Sequence, residues 1–145
     1  MKSITFYFED ISPISLHEDF LKNQIENLVI NEKCELGELT IVYCSDEFLL
    51  DMNKQYLDHD YYTDIITFDY VEKNVISGDL FISLDRVNEN AENYEISQLK
   101  ELYRVVLHGV LHLVGYKDKT DEEQEEMTKM EEFYLAKIDF KELKV

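Results

Sequence analysis

Residues 108–118 read His-Gly-Val-Leu-His-Leu-Val-Gly-Tyr-Lys-Asp, and they comprise the end of the most apolar helix that the sequence predicts and the turn that follows it. The helix begins at about Ser97 and ends at Val114, where Gly115 follows. Glycine most cheaply adopts the left-handed backbone that terminates a helix. Because apolar residues cover nearly its whole circumference, we expect this helix to be central in the fold. The apolar residues are Val105, Val106, Leu107, Val110, Leu111, Leu113 and Val114.

Two histidines of this helix are spaced to bind one metal ion. His108 and His112 are four residues apart and share a helix face, with Cβ atoms about 6 Å apart. The chain turns at Gly115, so that Asp118 can reach the same point from a loop. Two imidazoles and a third ligand leave one coordination position open, as a catalytic zinc site requires. The sequence therefore predicts a metal site of His108, His112 and Asp118, with zinc as the cofactor.

Patterns of apolar residues on both sides of this helix indicate a mixed α+β chain. Residues 1–145 read as a single domain with no linker and no repeat. We expect a small mixed sheet of about four strands packed with helices around the metal-binding central helix, a zincin-like arrangement. The predicted strands are 3–8, 39–43, 64–70 and 75–83. The further predicted helices are 16–30 capped by Ser15, a short one after Ser45 or Asp46, 84–93 capped by Ser83, and a last helix through Ile138 that Thr120 and Glu123 cap.

Composition excludes several classes of protein. The 145 residues include 14 basic and 32 acidic ones, a net charge of −18, which argues against binding nucleic acid over a broad surface. Any contact with RNA must be local. No apolar run approaches a membrane span, and no signal pattern opens the chain, so we expect no membrane association and a cytoplasmic location. Cys34 and Cys44 read as structural thiols.

The histidine spacing is also similar to that of metzincin proteases, which carry Glu directly after the first His as the general base. Gly109 occupies that position here. A peptide or amide hydrolase would need another carboxylate, and Glu101 is a candidate because it lies two helical turns before His108. The sequence favours a salt bridge for Glu101, or a role in orienting one of the histidines, over a role as that base.

Three blocks of the sequence resemble the YbeY family of metal-dependent endoribonucleases. Residues 108–118 match H-G-x-L-H-L-x-G-Y-D-H, residues 53–68 match N-x-x-Y-R-x-x-D-x-x-T-D-V-L-S-F, and residues 78–83 match G-D-I-x-I-S. The resemblance implies a single α+β domain with the metal helix packed on a small sheet. It also implies cleavage of single-stranded RNA in ribosomal RNA processing, with ribosomal RNA and the small ribosomal subunit as partners.

Two departures from the family pattern matter for the site. Asp118 stands where the third family ligand is usually His, and a carboxylate can also bind zinc. Leu57 stands where the family usually has Arg, and Leu cannot clamp a phosphate. We therefore predict that Lys54, His59, Lys117 or Lys119 supplies positive charge for substrate binding, although each of them singly is also typical of a solvated surface.

Asp64 joins Glu101 as a predicted catalytic carboxylate, although a carboxylate at the start of a strand also commonly bonds to backbone N–H groups. The resemblance favours an endoribonuclease. A metzincin-like peptide or amide hydrolase remains an alternative. So does a ribosome-assembly factor without catalytic activity, in which the metal is structural.

Overall fold

The structure is a computed structural model that describes residues 3–143 of the chain. These residues form one α+β domain with a four-stranded sheet and five helices, which confirms the predicted fold class. The strands are β1 (Ser3–Phe8), β2 (Glu35–Cys44), β3 (Ile65–Asp69) and β4 (Val75–Ser83). The helices are α1 (Glu18–Asn31), α2 (Asp46–Leu57), α3 (Leu84–Tyr94), α4 (Gln98–Val114) and α5 (Asp121–Leu135).

The sheet has the order β1-β2-β4-β3 and is mixed. Strand β2 pairs in parallel with β1 and with β4, and β3 closes the other edge antiparallel to β4. Helix α4 packs on this sheet, and its buried residues join those of α1, α5 and the strands in the main core. A smaller cluster of Cys44, Leu49 and Ile66 contains residues of α2, β2 and β3.

Gly109 lets α4 approach the sheet closely. A Cβ atom at this position would lie 2.8 Å from Ile65 Cδ1 and 3.0 Å from Leu80 Cδ2, so neighbouring side chains would have to move. Glycine lowers helix stability by about 1 kcal/mol relative to alanine. The close contact with β3 and β4 accounts for its presence in the helix interior.

Local sequence signals placed most element ends correctly. Ser45, Ser83 and Ser97 each accept a hydrogen bond from the backbone of the helix that follows. Thr120 and Glu123 form the predicted capping box. Helix α5 ends at Leu135, so Ile138 lies beyond it although it is buried.

Two further boundaries were predicted wrongly. Helix α1 begins at Glu18 rather than Leu16, because His17 adopts a left-handed backbone (φ 57°, ψ 49°) and the helix cannot extend before it. Strand β2 begins at Glu35 rather than Leu39, because a register shift between Leu36 and Leu39 lets the strand continue its pairing with β4.

Residues 3–143 include no helix that is both long enough and apolar enough to cross a membrane. Cys34 and Cys44 are free thiols. Burial, with nearby acidic groups, raises the pKa of the Cys44 thiol to about 12, in keeping with the predicted structural role.

Candidate metal centre

Three side chains converge where α4 ends and the next loop begins. The Nε2 atoms of His108 and His112 lie 3.1 Å apart. Asp118 Oδ2 lies 3.3 Å from the Nε2 atom of His108 and 3.1 Å from that of His112. Within residues 3–143, no other three His, Cys, Asp or Glu side chains bring their ligand atoms together in this way. The structure thus brings together the three residues predicted as metal ligands.

The local sequence explains this convergence. Residues four apart on a helix face the same direction, which sets the two imidazoles side by side. Gly115 has φ 120°, a conformation that L side chains rarely adopt, and it turns the chain back beside the last helical turn. The turn brings Asp118 back to the histidines.

Both histidines are held in place by a hydrogen bond at Nδ1, the ring nitrogen that is not part of the cluster. The Nδ1 atom of His108 lies 2.6 Å from Glu131 Oε2 on α5, and Nδ1 of His112 lies 3.0 Å from the carbonyl oxygen of Tyr116. An ionised carboxylate and a carbonyl only accept hydrogen bonds, so each Nδ1 carries the proton and donates it. Each Nε2 is then left with a lone pair directed into the cluster.

This donor set fits a divalent metal ion. Tetrahedral zinc with bonds of about 2.0–2.1 Å separates its ligand atoms by about 3.3 Å. The edges of the observed triangle are 3.1, 3.1 and 3.3 Å. Two lone pairs and a carboxylate oxygen at these distances repel one another unless a cation or protons lie among them. Geometry and charge therefore agree with a metal site of two neutral ligands and one anion.

The surroundings of His108 favour positive charge. Burial lowers its pKa. The hydrogen bond to Glu131 and the negative charges of Glu131, Asp118 and Asp64 outweigh that effect, so the pKa of His108 lies above its ordinary value. The same carboxylates would favour a bound cation.

Glu101 does not point into this cluster. Its side chain is fully buried, and its two oxygens accept hydrogen bonds of 2.7 and 2.6 Å from Nε and Nη2 of Arg104. Arg104 in turn donates from Nη1 to Glu131 Oε1 at 3.2 Å. Glu101 therefore forms the salt bridge that was one of its interpretations. In the chain of contacts, Arg104 and Glu131 lie between Glu101 and the imidazole of His108.

Asp64 lies on the open side of the same network. It ends the loop before β3, and its Oδ2 atom lies 3.9 Å from Nη2 of Arg104. About a quarter of its side chain is exposed, whereas Glu101 has no exposure. Burial raises the pKa of Asp64 with help from Glu101, although Arg104 and His108 oppose the shift. Of the two predicted catalytic carboxylates, Asp64 is the one that solvent can reach.

Two of the predicted substrate-binding residues lie at or beside the loop of residues 58–64, which follows α2. Lys54 is on the last turn of α2 and forms an ion pair of 3.5 Å with Asp60. His59 stacks on Tyr61 with ring centroids 5.0 Å apart, and its Nδ1 lies 2.9 Å from the hydroxyl of Tyr61. Leu57 ends α2 and is 43% exposed, so the family's Arg position lies on the surface.

Lys117 lies in the loop that carries Asp118. It is exposed. Its neighbour Tyr116 donates its hydroxyl to Glu32 at 2.8 Å, and Glu32 also accepts the hydroxyl of Tyr134 on α5. These bonds tie the loop to α1 and α5, and so they hold the Tyr116 carbonyl that accepts from His112.

Sequence reasoning missed Glu131 and Arg104. A signal for Glu131 was available, because it falls on the apolar stripe of α5 with Met127, Tyr134 and Leu135. A carboxylate on a buried helix face requires a partner. No comparable signal pairs it with His108, since the two residues are 23 positions apart.

Comparison with known proteins identifies the family of this chain. The family model described as Endoribonuclease YbeY matches residues 8–139. An Endoribonuclease YbeY of Parabacteroides distasonis is 46% identical over 92% of this chain and 94% of the relative. One of Cytophaga hutchinsonii is 46% identical over 93% and 95%. The solution structure of TM1509 from Thermotoga maritima superposes with a TM-score of 0.66 at 30% identity, covering 93% of this chain and 91% of that one. The chain belongs to the YbeY endoribonuclease family.

Proposed function

We propose that this protein is a metal-dependent endoribonuclease that cuts single-stranded RNA during ribosomal RNA processing. In this proposal His108, His112 and Asp118 hold one zinc ion. The observation that carries the proposal is the triangle of ligand atoms with edges of 3.1–3.3 Å, in a chain of an endoribonuclease family.

A divalent cation bound by these residues supplies Lewis acidity toward a phosphoryl oxygen of the RNA. The protein's own part begins with orientation. Glu131 and the Tyr116 carbonyl fix both imidazoles, so the site needs little rearrangement when substrate arrives.

Asp64 is the residue that we propose for proton transfer. It is partly exposed, its Oδ2 atom lies 3.9 Å from Nη2 of Arg104, and burial raises its pKa above the ordinary value. A carboxyl group with a raised pKa accepts a proton more readily than an ordinary carboxylate does. Glu101 is not proposed for this role, because both of its oxygens are bound to Arg104.

Substrate binding is assigned to the loop that carries Asp118 and to residues at or beside the loop of residues 58–64. Lys117 and Lys54 would contact RNA phosphates, and His59 stacked on Tyr61 offers an exposed aromatic surface to an unpaired base. A net charge of −18 disfavours a broad phosphate-binding surface, so RNA binding depends on local contacts such as these. The acidic remainder of the surface repels RNA and so directs it to the site.

The alternatives have less support. A peptide or amide hydrolase needs a carboxylate base at the metal site. The candidate for that base is Glu101, and both of its oxygens accept hydrogen bonds from Arg104. A ribosome-assembly factor with a structural metal is consistent with Leu57 in place of Arg, but nothing in the site favours it. As further parts of the proposal, the small ribosomal subunit is the partner and the cytoplasm is the location.

The test uses the full chain, purified without added metal. We expect elemental analysis to find one transition metal ion per chain. Single-stranded RNA should be cut, duplex RNA of the same sequence should be spared, and a chelator should stop cleavage that added Zn²⁺ restores. His108→Ala should lack both the metal and the activity.

Two outcomes would contradict this function. Metal-dependent digestion of a peptide library with RNA left intact would favour the hydrolase. Bound metal with no cleavage of ribosomal RNA precursors, and a lowered melting temperature on metal removal, would favour the assembly factor.

A further inference from the structure

Glu131 already orients His108 in the proposed function, and its contacts point to a more specific role that the proposed function does not contain. Its side chain is 5% exposed, and each of its oxygens has one partner. Oε2 accepts from Nδ1 of His108 at 2.6 Å, and Oε1 accepts from Nη1 of Arg104 at 3.2 Å. One oxygen of the Glu131 carboxylate therefore faces His108, a candidate metal ligand, and the other faces the guanidinium group of Arg104.

Arg104 has little freedom to move. Its Nε and Nη2 atoms form two parallel hydrogen bonds with the fully buried Glu101, at 2.7 and 2.6 Å. Such a pair fixes the plane of the guanidinium group. The Nη1 donor is thereby aimed at the Oε1 side of Glu131, and a residue at position 131 must present an acceptor there.

We propose that Glu131 is a positioning residue that sets the tautomer of His108. In this proposal Arg104 determines whether residue 131 presents a hydrogen-bond acceptor or a donor to His108. Glu131 holds the proton of His108 on Nδ1 and so leaves Nε2 free as a ligand. The proposal rests on the proposed function in one respect, namely that Nε2 of His108 binds the metal.

This arrangement makes a distinctive prediction for Glu131→Gln. The amide has one accepting and one donating side. Arg104 requires the accepting oxygen on its own side, so the NH₂ group faces Nδ1 of His108. A donor at that place favours a lone pair on Nδ1 and moves the proton to Nε2. The substitution of nearly equal shape thus blocks the ligand atom.

Glu131→Ala removes the same negative charge without supplying a donor to His108. Water can then meet Nδ1 either as donor or as acceptor, and both tautomers are populated. We expect the isosteric glutamine to harm metal binding more than the truncation does. An effect of lost charge alone would make the two variants equal, and an effect of lost packing would make alanine the worse.

The experiment measures two quantities on the full chain. Nitrogen-15 NMR of metal-free protein at alkaline pH, where the ring is neutral, reports which nitrogen of His108 carries the proton. Competition with a chromophoric chelator reports the affinity for Zn²⁺. Glu132→Gln is the matched control, because it makes the same change at the next, exposed residue of α5.

We expect Nδ1–H in the wild type and in Glu132→Gln, with equal zinc affinity. Glu131→Gln should show Nε2–H and an affinity lower by about 10–100-fold, and Glu131→Ala a mixture of tautomers with a smaller loss. If Glu131→Gln does not fold, the tautomer mixture in Glu131→Ala still tests the proposal.

Nδ1–H in Glu131→Gln with wild-type affinity would overturn the proposal and leave the proposed function intact. A single Nδ1–H tautomer in Glu131→Ala would also overturn it. Wild-type protein that binds no zinc would instead overturn the metal site of the proposed function, and the tautomers of the metal-free proteins would still decide the role of Glu131.

Discussion

The two sides of the site differ in how firmly their side chains are held. On the α4 side, Glu101 and Glu131 are 0% and 5% exposed, and each of their oxygens has a hydrogen-bond partner. On the side of the loop 58–64, Lys54 and Asp60 are 47% and 82% exposed and share a single ion pair. The fold thus builds the metal-binding part in advance, and it leaves the groups that would contact RNA free to adapt.

Removal of a candidate ligand tests the firmly held side and has the largest expected effect. His112→Ala should lose the metal ion and reduce RNA cleavage by more than about 100-fold, since even residues that only support a ligand affect metal sites by 10–100-fold. Elemental analysis and a gel assay measure the two losses. His59→Ala is the control, because it removes an exposed imidazole and should keep one metal per chain. A fully metallated His112→Ala would contradict the assignment.

Asp64 lies between the two sides, and its replacement should separate chemistry from metal binding. Asp64→Asn keeps the shape but cannot accept a proton, so kcat should fall by about 10²–10⁴-fold. The metal content should stay at the wild-type value. Asp51→Asn, at an exposed position of α2, should change neither quantity. Unchanged kcat in Asp64→Asn would exclude it as the proton-transfer residue.

Arg104 tests how much the buried network contributes to stability. Arg104→Met leaves Glu101 buried without its partner, which should lower the free energy of unfolding by about 3–5 kcal/mol in denaturant titrations. Arg86→Met is a matched control. Arg86 has the same 25% exposure, but its partner Asp46 is 19% exposed and can be hydrated. Equal losses in the two variants would mean that the burial of Glu101 does not matter.

Leu57 tests the exposed side and has the smallest expected effect. Leu57→Arg restores the residue type that the family usually has there, and it should add one phosphate contact. We plot the logarithm of the binding constant for single-stranded RNA against the logarithm of the salt concentration. The slope of this plot should become steeper by about 0.7. Leu57→Gln adds length without charge and should leave the slope unchanged. An unchanged slope in Leu57→Arg would place this surface outside the RNA path.

The same contrast explains what could be predicted from sequence. His108, His112, Gly115 and Asp118 lie within eleven residues, so helical geometry and one glycine turn suffice to bring them together. The capping signals at Ser97 and Thr120 are equally local, and the helix starts there were predicted correctly.

Contacts between distant segments were not accessible in this way. Glu131 and His108 meet only because α5 packs against α4. The spacing of the two residues along the chain does not indicate this packing. The beginning of β2 depends on its pairing with β4 through a register shift. Glu101 was placed on the face of His108 by helical periodicity, which cannot reveal that Arg104 occupies both of its oxygens.

The most direct measurement is anomalous X-ray diffraction from crystals of the full chain grown with Zn²⁺. The account predicts one strong anomalous peak about 2.0–2.2 Å from Nε2 of His108, Nε2 of His112 and a carboxylate oxygen of Asp118. A peak elsewhere, or a well-ordered triad without a peak at saturating zinc, would contradict it.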